Sequence, residues 1–201
     1  VVELEQRSRL PNKKLAINIW TGPAWEAWSP SSLETGIGGS ETAAIQMARK
    51  LAARGHTVKV FGEAEGIWDG VEYVPHRKLS DDPRGYQCDV LVASRQAGAL
   101  SLGVPAELEV LWAHDVDCGT DPAAIAAVEG ADLVMALSEW HRGHMASVYS
   151  TVYVPSGSGV TRYSPLASTK GLTNSILLVN FSMRPQGRPP LGSSEWKVSA
   201  T

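Results

Sequence analysis

Short apolar runs alternate with helix-spaced segments along most of the chain, and this alternation constrains the fold more than any other feature. Each run is bordered by polar residues or glycine, which is typical of strands buried on both faces of a sheet. We predict one strand for each of LAINIW (15–20), TVKVFG (57–62), DVLVAS (89–94), LEVLWAH (108–114), ADLVMALS (131–138) and TVYVPS (151–156).

The segments between these runs predict helices. Apolar residues recur at helical spacing over 40–54, and Gly55 follows as a residue type that ends helices. Two more helices are predicted at about 121–129 and 139–149, each beginning next to a residue type that favours a helix N-cap. Strands separated by helices predict an α/β fold with a doubly wound parallel sheet, Rossmann-like, with right-handed crossovers.

The predicted domain organisation has three parts. Residues 1–14 form an N-terminal extension, 15–165 form the Rossmann-like domain, and 166–201 form a linker or disordered tail. The tail is rich in proline and glycine and has no helical period. Within it, SILLVNFS (175–182) could be the first strand of a second domain.

Composition and charge exclude several classes of protein. Apolar residues make up 43% and charged residues 19%, which is ordinary for a globular protein, and the net charge of −3 argues against a nucleic-acid surface. No apolar run has the length of a membrane span, and the first residues lack a signal-peptide core. Cys88 and Cys118 lack metal-binding spacing and are expected to be reduced, so we predict a cytoplasmic protein.

Polar residues follow the predicted strands at their carboxyl ends. In parallel sheets these ends share one edge, where ligands bind. The residues placed there are the glycine loop before 40–54, Glu63, Glu65, Ser94, Arg95, His114, Asp115, Ser138 and Glu139. The pattern favours a polar ligand.

The glycine loop, ETGIGGSETAA (34–44), precedes the first predicted helix. Gly36, Gly38 and Gly39 remove side chains, and Ser40 is expected to begin a helix whose free N–H groups attract an anion. A phosphate or a sugar hydroxyl is a sensible ligand. The alternative is a tight turn that only caps the helix.

The segment 21–39 separates the first strand from the first helix. It is too long for the dinucleotide-binding turn, in which glycines follow the strand at once. Loops of this length in compact domains are usually functional. Trp25 and Trp28 in this segment could stack on a sugar or attach the loop to the domain.

Four stretches of the chain together resemble the family 4 glycosyltransferases. The stretch GGSETAAIQMARKLAARGHTVKVFG (38–62) corresponds to the family's Gly-Gly loop and R-G-H-x-V turn. ADLVMALSEWHRGHMASVY (131–149) corresponds to a strand ending in Ser-Glu-Trp, and VPSGSGVTRYSP (154–165) corresponds to the N-G-V-D-x-x-R-F-x-P turn. LWAHDVDCG (111–119) falls where members carry a His-Asp pair. The resemblance covers about residues 15–165.

The resemblance implies one half of a GT-B enzyme, in which two Rossmann-like domains face each other. The N-terminal domain receives the acceptor, and the C-terminal domain holds the nucleotide sugar. It further implies a retaining reaction without a metal ion or other cofactor, with His114 and Asp115 as catalytic residues. The implied donor- or acceptor-binding residues are Gly38, Gly39, Ser40, Glu41, Ser94, Arg95, Ser138 and Glu139.

The expected function is therefore the acceptor-side domain of a glycosyltransferase, inactive as this chain alone because the donor-binding domain is expected to be missing. Expected partners are a nucleotide sugar, a glycan or other hydroxyl acceptor, and a separate donor-binding domain or a second copy. The alternatives are a non-catalytic sugar- or nucleotide-binding module, and a dinucleotide-dependent oxidoreductase with Glu63 or Glu65 on a ribose hydroxyl.

Two groups of residues also suggest metal binding. The first is His114, Asp115, Asp117 and Cys118, but alternation along a strand would point the first two apart. The second is His141 and His144 at helical i,i+3 spacing, for which we expect a solvated helix face instead. We therefore predict no metal.

Overall fold

The computed structural model describes residues 14–149, 161–162, 181–182 and 197–198. Lys14–Ser164 form one compact unit, and Val1–Lys13 with Pro165–Thr201 form another. In the second unit, the described residues form an antiparallel pair of strands, β9 (Phe181–Ser182) and β10 (Lys197–Val198). The predicted strand 151–156 and most of 175–182 lie outside the described residues.

One eight-stranded sheet organises the first unit. Its strand order is β3-β4-β2-β1-β5-β6-β7-β8. The six inner strands are parallel to one another, and the strand at each edge is antiparallel to its neighbour. In chain order the six parallel strands run 3-2-1-4-5-6, which is the strand order of a Rossmann-like fold. The strands are β1 (Ala16–Trp20), β2 (Thr57–Gly62), β3 (Gly66–Trp68), β4 (Val71–Pro75), β5 (Cys88–Ser94), β6 (Ala106–Trp112), β7 (Leu133–Met135) and β8 (Thr161–Arg162). The predicted α/β fold with a parallel sheet is confirmed.

Helices connect most of these strands. The α-helices are α1 (Gly39–Ala53), α2 (His76–Asp81), α3 (Pro122–Gly130) and α4 (Glu139–Val148), and shorter 3-10 helices cover Pro30–Leu33, Pro83–Tyr86 and Ala97–Leu102. Among the described residues, no helix combines the length and the apolar character that crossing a membrane requires.

The α1 helix packs on β2 and β4 through a stripe of small and branched side chains, and it ends at a glycine as predicted. Gly55 takes a left-handed φ of +90°. Its N–H donates to the carbonyl of Ala52, and the N–H of His56 donates to the carbonyl of Leu51. These two hydrogen bonds form a Schellman motif, which satisfies carbonyls at the helix end.

The other face of the sheet carries an apolar core cluster. Trp20 is in register with Phe61 on one side and with Ala93 on the other, followed by Leu111 and Val134 on the next strands. Residues in register point to the same face. This row packs against side chains of α2, α3, α4 and the third 3-10 helix: Leu79, Leu100, Val128 and Met145.

The β3–β4 hairpin was not predicted from the sequence. It turns through Asp69 and Gly70, whose φ angles are +52° and +77°. Two consecutive positive φ angles define the type I′ turn, for which Asp-Gly is a favoured pair. The Asp69 carboxylate also lies 2.6 Å from Nε of Arg49 on α1. The Asp-Gly pair in the sequence indicates such a turn. The strand before it could not be predicted, because β3 is only three residues long and its central Ile67 is exposed.

Two glycine substitutions test the end of α1. Gly55→Ala should cost about 1–2 kcal/mol of stability, because an L-residue pays this much in a left-handed conformation. Gly143→Ala is the control, since a methyl group at this position inside α4 meets nothing within 4 Å. That change should stabilise the protein by about 0.5–1 kcal/mol. Urea unfolding measures both, and equal effects would contradict the Schellman end.

Candidate functional site

The loops that leave β1, β5 and β6 meet at the carboxyl edge of the sheet. The chain continues from β1 to β2 on one side, whereas β5 lies on the other side of β1. Such a reversal point leaves a crevice between the diverging connections, and ligands of open α/β sheets bind there. Polar side chains from three elements meet at this point.

Arg95 links three elements at the reversal point. Its Nε lies 3.0 Å from Oδ2 of Asp115, its Nη2 lies 3.4 Å from Oδ1 of the same carboxylate, and its Nη1 lies 3.5 Å from Oε1 of Glu41. These contacts join the loop after β5 to the loop after β6 and to the start of α1. We call this cluster the arginine bridge: Glu41, Arg95 and Asp115.

The backbone of Arg95 is itself unusual. Its φ is +68°, a left-handed conformation that non-glycine residues seldom adopt. The Arg95 N–H donates to the carbonyl of Trp112 at the end of β6, at 2.9 Å. Backbone strain of this kind occurs most often at functional sites, where the surrounding structure holds it in place.

The arginine bridge contributes little to stability. The side chains of Arg95 and Asp115 are 44% and 52% exposed, and exposed ion pairs are worth about 0–1 kcal/mol. With two carboxylates and one guanidinium, its formal charge is −1. The bridge holds one half-exposed carboxylate, that of Asp115, at the edge of the sheet.

The start of α1 differs from the prediction for Ser40. The helix begins at Gly39 with Gly38 as its N-cap, and no side chain caps it. Ser40 is the second helical residue, and its hydroxyl donates instead to Oε2 of Glu41 at 2.9 Å. The helix thus begins one residue before the predicted start at Ser40, and the Ser40 hydroxyl contacts the neighbouring carboxylate instead of capping the helix.

The glycines of this loop have different reasons to lack a side chain. A Cβ at Gly38 would collide with the Glu41 carboxylate, which lies over the start of α1. A Cβ at Gly39 would meet nothing within 4 Å, so this residue borders open space. Gly36 has a φ of +96°, which favours glycine. The helix start, where we expected an anion, therefore already has a carboxylate beside it.

His114 lies next to the arginine bridge as a neutral imidazole. Its ring contacts the indole of Trp112, with centroids 4.4 Å apart. Burial lowers the pKa of His114 to about 4. Its Nε2 is buried and has no hydrogen-bond partner among the described residues. An unpaired buried nitrogen costs about 1–3 kcal/mol, so its retention here needs a reason.

Ser138 and His141 form the start of α4. The Ser138 hydroxyl caps the helix by accepting from the N–H of His141 at 3.1 Å, and the N–H of Leu137 donates to Nδ1 of His141 at 3.3 Å. Ser138 is therefore used within the protein, and Glu139 is the first residue of the helix. This reciprocal arrangement resembles a capping box, with histidine in the place of glutamate.

His141 and His144 do not lie on a solvated helix face, so that prediction is wrong. His141 is only 5% exposed, and His144 is partly buried against the indole of Trp140. Burial also lowers the pKa of His141. The Nε2 atoms of both histidines are buried without a partner in the described part of the chain.

Other predicted residues lie outside the arginine bridge. Ser94 is buried at the end of β5. Glu63 accepts from the N–H of Ala24 at 3.3 Å, and Glu65 pairs with Lys78 at 2.7 Å. Trp28 is buried against the ring of Tyr73, so it attaches the long loop to the domain.

Tyr149 holds the loop after β6 and was not singled out from the sequence. Its hydroxyl donates to the carbonyl of Gly119 and accepts from the N–H of Cys118, both at 2.7 Å. Its side chain is fully buried at the end of α4. A tyrosine in an apolar helix pattern predicts packing alone, so these two hydrogen bonds had no signal in the sequence.

The two cysteines are free. Burial raises the pKa of Cys88 to about 11 and that of Cys118 to about 12, so both stay protonated at neutral pH. Among the described residues, no group of three or more histidine, cysteine or acidic side chains is placed to hold a metal ion.

Comparisons of the chain with protein-family profiles and with curated proteins found no match. The resemblance to family 4 glycosyltransferases therefore stays a prediction from the sequence.

The low pKa of His114 predicts a loss of stability in mild acid. The imidazole of His114 takes up a proton near pH 6.5 in the unfolded chain but only near pH 4 in the folded protein. The contribution of His114 to the free energy of unfolding should therefore be constant above pH 6.5 and fall as the pH drops from 6.5 to 4. The loss should reach about 3 kcal/mol. His114→Asn should abolish this part of the pH dependence in denaturant titrations. An imidazole NMR titration giving a pKa near that of a free histidine would contradict it.

Proposed function

We propose that this chain is the acceptor-side domain of a retaining glycosyltransferase and that the arginine bridge binds hydroxyl groups of the sugar acceptor. The observation that supports this proposal is the position of the bridge at the reversal point of the sheet, with a half-exposed carboxylate at Asp115 beside the mostly buried carboxylate of Glu41. Carboxylate oxygens accept hydrogen bonds from hydroxyl groups, and the guanidinium N–H groups donate to hydroxyl oxygens.

The charges favour a neutral sugar over a phosphate at this point. Arg95 already contacts both Glu41 and Asp115, so a phosphate would have to displace one of them. Glu41 also places a negative charge beside the start of α1, which is the part of the helix that would attract an anion. These contacts fit an acceptor sugar better than the diphosphate of a donor.

The same geometry disfavours a dinucleotide-dependent oxidoreductase. Residues 21–38 separate β1 from α1, whereas a dinucleotide-binding turn joins them directly. Glu63 and Glu65, which would bind a ribose in that alternative, make hydrogen bonds and ion pairs within the protein.

His114 has a limited chemical role in this proposal. Glycosyl transfer forms a bond between the acceptor oxygen and the anomeric carbon while the bond to the diphosphate breaks, and the proton of the acceptor hydroxyl passes to a base, a role that the departing diphosphate can fill. A group with a pKa of about 4 removes such a proton poorly at neutral pH. We therefore assign His114 to orienting the sugar, for which its unpaired Nε2 is available after a small side-chain movement. The two free cysteines agree with the cytoplasmic location we propose.

Sugar binding by the chain tests the proposal. Methyl β-glucopyranoside should shift the NMR signals of the amides of Gly39, Arg95 and Asp115. Asp115→Asn should weaken this binding roughly tenfold, because a hydrogen bond to a charged group is lost. Glu65→Gln is the control, since it removes a carboxylate from an exposed ion pair with Lys78 and should leave the affinity unchanged.

Two results would contradict the proposal. Binding of a nucleoside diphosphate to the same amides, with no response to the glucoside, would assign the edge to a phosphate. Binding of NAD with the same pattern would favour the oxidoreductase.

A further inference from the structure

Tyr149 attaches the loop that carries Asp115 to the core of the domain. Its hydroxyl donates to the carbonyl of Gly119 and accepts from the N–H of Cys118, both at 2.7 Å. Both partners are backbone groups, so these hydrogen bonds fix the path of the chain itself. The Tyr149 ring is fully buried in the apolar core cluster, against which Cys118 also packs. The position of the hydroxyl is therefore set by the packing of the core.

Asp115 lies between two attachments of this loop. On one side, the N–H of Ala113 donates to the carbonyl of Met135 at the end of β7. On the other side, the attachment to Tyr149 begins three residues after Asp115. Residues 113–121 form neither helix nor strand, and 115–117 are exposed to solvent. The carboxylate that contacts Arg95 at 3.0 and 3.4 Å thus belongs to a segment without regular hydrogen bonding of its own.

The contact with Arg95 is too weak to order this segment by itself. An exposed ion pair gains less free energy than the conformational entropy that is lost when a few residues of backbone are fixed. The hydroxyl of a fully buried tyrosine is better suited to this task, because its hydrogen bonds are shielded from competition with water. The direction of the Asp115 carboxylate therefore depends on Tyr149.

We propose that Tyr149 is a positioning residue for the sugar acceptor, whose hydroxyl holds the loop after β6 so that the Asp115 carboxylate faces Arg95 and the bound sugar together. This inference rests on the proposed function. It extends that function by making the affinity for a sugar depend on a fully buried side chain, which acts through the loop and not by contact with the ligand.

The first test measures the order of the loop without any sugar. Tyr149→Phe keeps the buried ring and removes only the hydroxyl. The NMR order parameters of the Asp115 and Val116 amides should fall from about 0.85, the value of a rigid backbone, to below about 0.6. Tyr73→Phe is the matched control, because the Tyr73 hydroxyl is buried on β4 without a partner among the described residues. It should leave these order parameters unchanged.

The second test separates positioning from a purely structural role. Tyr149→Phe should weaken the binding of methyl β-glucopyranoside about three- to tenfold, whereas Tyr73→Phe should bind as the unsubstituted chain does. In a chain that already carries Asp115→Asn, Tyr149→Phe should have little further effect, because both changes act on the same contact. A residue that only stabilises the fold would weaken binding equally in both backgrounds.

The outcomes distinguish this inference from the function on which it rests. If Asp115→Asn weakens glucoside binding while Tyr149→Phe binds as tightly as the unsubstituted chain, the positioning role is wrong and the sugar site stands. Unchanged order parameters in Tyr149→Phe, or equal losses of affinity in both backgrounds, would also overturn the positioning role. If the unsubstituted chain binds no glucoside, both proposals fail.

Discussion

The parallel alignment of six strands is the constraint on which the rest of this structure depends. Because the strands run in one direction, their carboxyl ends lie along one edge, and every loop that leaves them begins there. The strand order reverses beside β1, so the loops after β5 and β6 come close to the start of α1. Residues that are 54 and 20 positions apart in the chain, Glu41 and Asp115 relative to Arg95, thereby reach one guanidinium group.

Arg95 combines a strained backbone with a weak pair of surface contacts. Its left-handed conformation costs about 1–2 kcal/mol, which its exposed ion pairs offset only in part. Nearby, burial keeps His114 neutral at physiological pH. The edge thus offers carboxylates and donors, which together suit a neutral polyhydroxylated ligand.

The sequence predicted those features that depend on local pattern. The start and end of α1 each fall one residue from the prediction, since apolar spacing and Gly55 are local signals. The β3–β4 hairpin was not predicted because β3 has only three residues and an exposed centre, which give too little pattern for a strand. The left-handed backbone of Arg95 and the burial of His141 depend on contacts with distant elements, so no local pattern could indicate them. Ser40 matched an N-cap in residue type, but a neighbouring carboxylate decided the outcome.

The central claim is that the forked guanidinium of Arg95 positions the carboxylates that bind the sugar. The most direct measurement is the affinity of Arg95→Lys for methyl β-glucopyranoside, with unfolding measured alongside. Lysine keeps the charge but cannot hold a carboxylate through two parallel N–H groups. The account predicts affinity weakened about tenfold, equivalent to 1.4 kcal/mol, with stability changed by less than about 1 kcal/mol. Unchanged affinity in Arg95→Lys, at unchanged stability, would contradict it.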